Sequence, residues 1–198
     1  MIIAGAAVLI TILTVNAVAK PSYDLTVAVI CTEQHHLDTE KLRETLMQYV
    51  SDRDGDGKVT VLVKDVSLAQ GRSMPETERS AAVQDQSIYL YLVDQAAISQ
   101  FEELFYNARQ RGSDENITDQ FVNLEEKYPG DQNTEGIQFH LMGSKLQKGL
   151  GINEMDAIVT DFGNLSLVIR TKEHAGNREN WVSCYEESMR VLERIILE

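Results

Sequence analysis

The stretch Leu25-Thr-Val-Ala-Val-Ile-Cys31 decides the fold of this chain. All but one of its side chains are apolar, which is typical of a strand covered on both faces, as in a parallel sheet. A second strand is expected at Val59 to Leu68 and a third, apolar throughout, at Ile88 to Val93. Apolar side chains recur at helical spacing between the first two strands, which predicts a helix from the N-cap Asp38 to Val50.

Further helices are expected after the second and third strands. Pro75 to Asp85 is predicted to be a short helix with proline in its first turn, and Asp94 to cap the next helix. The apolar positions of that next helix are Phe101, Leu104, Phe105 and Ala108. The alternation of strand and helix predicts right-handed crossovers, and therefore a single three-layer α/β domain with a largely parallel or mixed sheet.

The chain turns polar and acidic between Gly112 and Gly136, where a short helix is expected near Phe121 to Glu126. A final helix from Arg178 to Leu197 carries an apolar stripe that is expected to pack on the sheet. Between them, short strands are expected at Ile137 to Met142, Ala157 to Thr160 and Leu165 to Thr171. The stripe of the final helix consists of Trp181, Tyr185, Met189, Leu192 and Ile196.

The loop Asp52-Arg-Asp-Gly-Asp-Gly-Lys58 places three carboxylates at alternate positions before a glycine. This is the opening pattern of a calcium loop, in which carboxylates at the first, third and fifth positions bind the ion. Asp52, Asp54 and Asp56 fill those positions, and Gly57 fills the sixth, where the chain turns sharply. The sequence therefore predicts a calcium site here.

The later positions of the loop are less complete. The backbone carbonyl of Lys58 would occupy the seventh position and Thr60 the ninth, but Val63 at the twelfth cannot ligate. Asp65, or a carboxylate from another segment, is the candidate for the missing oxygens. The missing ligand implies weak affinity and a structural ion rather than a sensor. The loop resembles the D-x-D-x-D-G calcium loops found outside EF-hands, including the first half of dockerin loops.

An acidic turn is the alternative interpretation of this loop. Two Asp-Gly pairs are enough to end a helix and start a strand, because glycine accepts positive φ and Asp hydrogen-bonds its own backbone. Three crowded carboxylates repel one another, however, unless a cation lies among them. A plain turn does not require this repulsion, so the crowding favours a calcium site.

Residues Met1 to Ala19 carry no charged side chain. As a helix this segment would be about 28 Å long, close to the hydrocarbon thickness of a bilayer. We expect a transmembrane anchor; a cleaved signal peptide ending at Ala19 and a buried core helix are the alternatives. An α/β domain at 20–198 would then face outward on a single-pass anchor in the cell membrane, or be secreted. Lys20 lies on the C-terminal side of the segment and does not set this orientation, which we expect on the assumption that a basic cytoplasmic tail precedes Met1.

All 18 Lys and Arg and all 31 Asp and Glu lie after this segment and give a net charge of −13. Such acidity argues against binding to nucleic acid and against docking on anionic lipid. The expected partners are the membrane, through the N-terminal segment, and either a protein or a small-molecule ligand.

The order of elements resembles the first lobe of type II extracytoplasmic solute-binding proteins. Leu25 to Cys31 is similar to the opening strand of that lobe, Val59 to Val66 to the second, and Ile88 to Asp94 to the third with its terminal acid. The resemblance implies a lobe that binds a small ligand near Asp94, and the chain is too short for two lobes. An apolar anchor, a short stalk and a domain ending in a Glu-rich helix are also similar to uncharacterised membrane-tethered proteins of Gram-positive bacteria. We therefore expect a binding or scaffolding module, with a single-lobe solute-binding domain as the alternative.

The histidines form no catalytic or zinc pattern. His35 and His36 are expected in a solvated loop, because no zinc-ligand spacing surrounds them. His140 and His174 are expected to be structural. Motifs for nucleophiles and phosphate-binding loops are also missing from the sequence, so no enzyme is expected.

Acidic side chains also occur where strands end, at Asp65, Asp94 and Asp161. We expect them to cap helices or form turns, with ligand binding as the alternative.

The two cysteines, Cys31 and Cys184, form either one disulfide or two buried thiols.

Overall fold

The computed structural model describes residues 23–31, 37–66, 85, 87–99, 120–159, 162–175 and 178–197. These contain six strands and six α-helices. The strands are β1 (Leu25–Ile30), β2 (Val61–Asp65), β3 (Leu90–Asp94), β4 (Thr134–Glu135), β5 (Gln138–His140) and β6 (Leu165–Ile169). The helices are α1 (Thr39–Leu46), α2 (Gln95–Ser99), α3 (Leu124–Lys127), α4 (Lys145–Gly149), α5 (Glu154–Val159) and α6 (Glu179–Leu197). The segment predicted to be an anchor, the helix predicted near 75–85 and the positions predicted to be helical beyond Ser99 lie outside the described residues.

The strands form one mixed sheet in the order β2-β1-β3-β6-β5-β4. β1 pairs in parallel with both β2 and β3, whereas β6 pairs antiparallel with β3 and β5, and β4 antiparallel with β5. The expectation of an α/β domain with a mixed sheet is confirmed. Leu25 and Val61 are the first residues of two parallel strands and lie opposite each other. The chain segments that lead into β1 and β2 therefore meet at the N-terminal ends of these strands.

The two faces of the sheet bury separate apolar clusters. Alternate residues of β1, beginning at Leu25, pack with α1, α4, α5 and α6 on one face. Ala28 and Ile30 point to the other face, where they pack with Ala97 of α2 and with Phe121. β1 and β3 are therefore covered on both sides, which explains why their sequences are almost continuously apolar.

Most predicted elements lie near their expected positions, but one is wrong. The strand predicted at Ala157 to Thr160 is contradicted by its described residues, 157–159, because Glu154–Val159 is helical. Asn153 lies just before this helix and accepts a hydrogen bond from the backbone N–H of Asp156 at 2.8 Å. This capping contact favours a helix over the strand that the β-branched side chains suggested.

The final helix begins at Glu179 and buries Met189, Val191, Leu192 and Ile195 against the sheet. Trp181 and Tyr185 of the predicted stripe are only half-buried. Among the described residues, no helix is both long and apolar enough to cross a bilayer.

Candidate metal centre

The loop between α1 and β2 is organised by its own carboxylates. Asp52 accepts hydrogen bonds from the backbone N–H groups of Gly55 at 2.7 Å and Gly57 at 2.8 Å. Asp54 accepts from the N–H of Asp56 at 3.2 Å, and Asp56 from that of Lys58 at 2.8 Å. Both glycines have positive φ, of 74° and 83°, which side chains with a Cβ rarely adopt. The loop is thus a succession of tight turns, two of which are closed by hydrogen bonds to the carboxylate of Asp52.

Asp24 joins this loop from the start of β1. Its carboxylate accepts hydrogen bonds from Thr60, through the backbone N–H at 2.7 Å and the hydroxyl at 3.0 Å. It also accepts from the backbone N–H of Arg53 at 2.7 Å. Asp24 is only 2% exposed, so its charge is buried among these donors. The parallel pairing of β1 with β2 places it here, because Asp24 directly precedes Leu25 and Thr60 directly precedes Val61.

Asp24, Asp52 and Asp54 form a group that is close enough to hold a metal ion. One carboxylate oxygen from each residue lies within 4.8 Å of the other two. Asp52 and Asp54 are exposed to solvent, whereas Asp24 is buried. All three groups offer hard oxygen ligands, the kind that Ca²⁺, Mg²⁺ and Mn²⁺ prefer.

The acidic cluster differs from the ligand set predicted from the loop pattern. Asp52 and Asp54 belong to the cluster, but Asp56 does not, and Asp24 takes the third place. Thr60 directs its hydroxyl to Asp24. The carbonyl of Lys58 stays a predicted ligand.

Asp65 does not supply the missing carboxylate. It ends β2, opposite Val29, while the loop precedes the first residue of the same strand. A five-residue strand is about 16 Å long, so Asp65 lies far from the cluster. The alternative, a carboxylate from another segment, matches Asp24.

Hydrogen bonds join helix α6 to the loop. The guanidinium of Arg53 donates to the Ser183 hydroxyl and to the Tyr23 carbonyl, each at 2.8 Å. Glu187, which is 1% exposed, accepts from the backbone N–H of Ser51 at 2.7 Å and pairs with Arg190. These contacts connect the loop, the residues before β1 and α6. A cation at the cluster would therefore act where three parts of the chain meet.

Comparisons with protein-family models, with curated proteins and with solved structures find no match to this chain. The function must therefore be inferred from the geometry itself.

The acidic side chain at the end of β3 has a structural role. Asp94 is 8% exposed and accepts a hydrogen bond from the backbone N–H of Ala97 at 2.6 Å. This contact caps α2, as the sequence predicted. Asp161, His35 and His36 lie outside the described residues, as does the side chain of His174.

His140 lies between a serine and a carboxylate on adjacent strands. Its Nδ1 is 3.0 Å from the Ser166 hydroxyl, and its Nε2 is 3.2 Å from the Glu135 carboxylate. A serine hydrolase needs an accessible nucleophile and a shielded carboxylate. Here Ser166 is 2% exposed, whereas the Glu135 side chain is 78% exposed. The arrangement suits a bridge that holds β4, β5 and β6 together, and it does not suit hydrolysis.

Cys31 and Cys184 do not form a disulfide with each other. Cys31 is buried directly after β1, and Cys184 is half-buried in α6. Burial raises the pKa of the Cys184 thiol, and the positive charge of Arg53 opposes this only in part. Cys184 therefore lacks the depressed pKa of a reactive cysteine.

Proposed function

We propose that this chain is a membrane-tethered, outward-facing binding or scaffolding module in which Asp24, Asp52 and Asp54 hold a structural calcium ion. The convergence of three carboxylates from two separate segments carries the proposal. Without a cation, these three charges repel one another in a space only a few ångströms across. Asp24 is fixed by its hydrogen bonds to Arg53 and Thr60, so it adds a third carboxylate in a set position to the two that the turn contributes.

Calcium fits this donor set better than the other common ions. The cluster contains only carboxylates, so zinc and copper, which favour His and Cys, are disfavoured. Calcium takes about six to eight oxygens in flexible geometry and accepts water among them. Magnesium demands a regular octahedron and keeps most of its water. A partly exposed cluster of three carboxylates suits calcium at the weak end of its range, with Kd of about 10⁻⁴ to 10⁻³ M.

The position of the cluster favours a structural role for the ion. Asp24 leads into β1, and Asp52 and Asp54 precede β2, so the ion would fasten together the starts of two parallel strands. The neighbouring Arg53 contacts both α6 and the carbonyl of Tyr23. An ion here would stabilise the N-terminal ends of β1 and β2. Met1 to Ala19 precede β1 in the sequence.

The outward address is supported by the sequence. The uncharged segment Met1 to Ala19 is long enough to span a bilayer, and the acidic domain follows it directly. Millimolar calcium outside the cell would fill about half or more of a site of the proposed affinity, whereas micromolar cytosolic calcium would leave it almost empty. The single-lobe solute-binding alternative receives less support, because the carboxylate of Asp94 caps α2.

Thermal unfolding of the full chain with calcium and with excess chelator tests the calcium site. At a calcium concentration about ten times Kd, linkage stabilises the fold by about 1.4 kcal/mol, which raises Tm by roughly 3–6 °C. We expect Asp54→Ala to abolish the calcium-dependent shift. We expect Asp56→Ala, which removes a turn contact but no member of the cluster, to retain most of it.

Asp131→Ala is the matched control for the loss of a turn carboxylate. Asp131 accepts a hydrogen bond from the backbone N–H of Asn133 at 2.8 Å and lies outside the cluster, so this variant should keep the full shift. A melting curve that calcium leaves unmoved would contradict the site. A shift that magnesium reproduces at equal concentration would contradict its assignment to calcium, and equal loss in Asp54→Ala and Asp56→Ala would restore the ligand set predicted from the loop pattern.

A further inference from the structure

The chain contains two Asp-Gly peptide bonds, and both lie in the exposed loop before β2. They join Asp54 to Gly55 and Asp56 to Gly57. An Asp-Gly bond is chemically labile, because glycine has no side chain to hinder attack by its nitrogen on the preceding carboxyl group. One of these two aspartates, Asp54, thus belongs to the candidate metal centre, and the other, Asp56, lies in the same loop.

The reaction is an isomerisation that needs only water. The backbone nitrogen of the glycine attacks Cγ of the preceding Asp, the N–Cγ bond forms, and one water molecule leaves with a carboxyl oxygen and two protons. Water then opens the five-membered succinimide. Cleavage of the N–Cγ bond restores Asp, whereas cleavage between the nitrogen and the backbone carbonyl carbon gives isoaspartate, with no net change in mass or oxidation state.

One carboxylate holds both attacking nitrogens. Oδ1 of Asp52 accepts the N–H of Gly55 at 2.7 Å, and its Oδ2 accepts the N–H of Gly57 at 2.8 Å. A nitrogen must lose its proton and turn toward Cγ to react. A hydrogen bond to an ionised acceptor retains the proton and fixes the direction of the N–H bond.

The attacked carboxylates are held as well. Asp54 accepts from the backbone N–H of Asp56, and Asp56 from that of Lys58, so each side chain reaches forward past the glycine that follows it. The nucleophile and the electrophile of each reaction are thus engaged with other partners.

We propose that Asp52 protects both Asp-Gly bonds, and that Asp54 and Asp56 are the sites at which this chain converts to isoaspartate when the protection is lost. The inference does not depend on a bound ion, because all four hydrogen bonds are made by the chain itself. Conversion would insert a methylene group into the main chain of the loop. At Asp54 it would also move a carboxylate out of the candidate metal centre.

Peptide mapping of the aged full chain tests this inference. Wild type and Asp52→Ala are incubated at neutral pH and physiological temperature in excess chelator, and isoaspartate at the two sites is measured by mass spectrometry and by resistance to cleavage before Asp. Loss of a hydrogen bond to a charged acceptor changes a rate by roughly tenfold. We expect isoaspartate to form about tenfold faster at both sites in Asp52→Ala.

A second variant keeps the inference testable if Asp52→Ala does not fold. Asp52→Asn retains one side-chain oxygen and should accelerate conversion at one site only. Wild type in denaturant gives the unprotected rate, which should exceed the native rate by at least the same factor. Equal rates in native wild type and folded Asp52→Ala, or in native and denatured wild type, would overturn the inference. The chelator makes the result independent of the calcium proposal.

Discussion

A half-buried ion pair links Lys64 of β2 to Asp85, which precedes β3, with a distance of 2.5 Å between Nζ and Oδ2. Burial alone would raise the pKa of the Asp85 carboxyl. Hydrogen bonds from Lys64 and Ser87 outweigh burial and lower that pKa below its usual range. Because the carboxyl is more acidic in the folded chain than in the unfolded one, its ionised form stabilises the fold.

The free energy of unfolding should therefore depend on pH through Asp85. The stabilisation is fully present above the unfolded pKa of about 3.9 and is lost as the pH falls through the lower folded value. We expect Asp85→Asn to lower the free energy of unfolding by about 1 kcal/mol at neutral pH. The difference from wild type should shrink below about pH 4, in urea unfolding curves recorded across acid pH.

Lys64→Met removes the other partner of this ion pair. The difference in the free energy of unfolding between wild type and this variant should also shrink at acid pH. A difference between wild type and Asp85→Asn that stays constant down to the lowest pH at which the fold survives would refute this role.

The candidate metal centre shows what a local pattern can reveal about single residues. Asp52 and Asp54 are recognisable because their spacing within one loop places them together whatever surrounds the loop. Asp24 belongs to a different segment, and only the pairing of Leu25 with Val61 brings it to the loop. The sequence did contain a signal for Asp24, namely its position directly before a strand. Segments that lead into adjacent parallel strands meet at the N-terminal ends of those strands. Applying it required knowing that β1 and β2 are neighbours.

Helices α1 and α4 approach closely at Gly149. A Cβ atom at this position would lie 2.7 Å from Cγ2 of Thr45, which is closer than real Cβ contacts come. Thr45 has little freedom to move, because it is buried and its hydroxyl donates to the carbonyl of Lys41 at 2.8 Å. The glycine thus allows the two helices to pack together.

Gly149→Ala should destabilise the fold despite the better helix propensity of alanine. Propensity contributes about 1 kcal/mol in favour of the variant, whereas overpacking costs about 1–3 kcal/mol. We expect a net loss of about 1 kcal/mol in the free energy of unfolding measured with urea. In a Thr45→Ser background, which removes Cγ2 and keeps the hydroxyl, Gly149→Ala should be neutral or stabilising. The same loss in both backgrounds would show that contact with Thr45 is not its cause.

Element predictions succeeded where the periodic pattern was long and failed where two short signals competed. The final helix has 19 residues, and its apolar spacing is unambiguous. Residues 154–159 form a short helix in which β-branched side chains favour a strand and the cap at Asn153 favours a helix. The structure shows that the cap prevails.

Strand direction was the least predictable property of the whole molecule. The first three strands are parallel, as the alternation with helices implied, but β6 runs antiparallel beside β3. Its sequence is as apolar as that of β1, because it too is covered on both faces. Apolar character reports burial, and it carries no information about direction.

The proposed address makes a prediction for the whole chain. When the full chain is expressed in a Gram-positive host, we expect it to sediment with membranes, to resist extraction at alkaline pH and to be digested by protease added outside the cells. A variant that begins at Lys20 should be soluble and protected from that protease. Recovery of the intact full chain in the cytosol would refute the address, and a chain in the medium that begins at Lys20 would identify Met1 to Ala19 as a signal peptide.

The placement of β1 also determines how the molecule would respond to mechanical load. β1 follows Asp24 directly and lies between two parallel neighbours, β2 and β3. Tension applied to the N-terminal end of β1 along the axis of the strand would load both hydrogen-bond ladders in shear. Bonds loaded in this way must yield together, whereas a strand peeled from the edge of a sheet loses them one at a time. A module pulled by its N-terminal end would thus bear the load at β1, which is hydrogen-bonded to a neighbouring strand on each side.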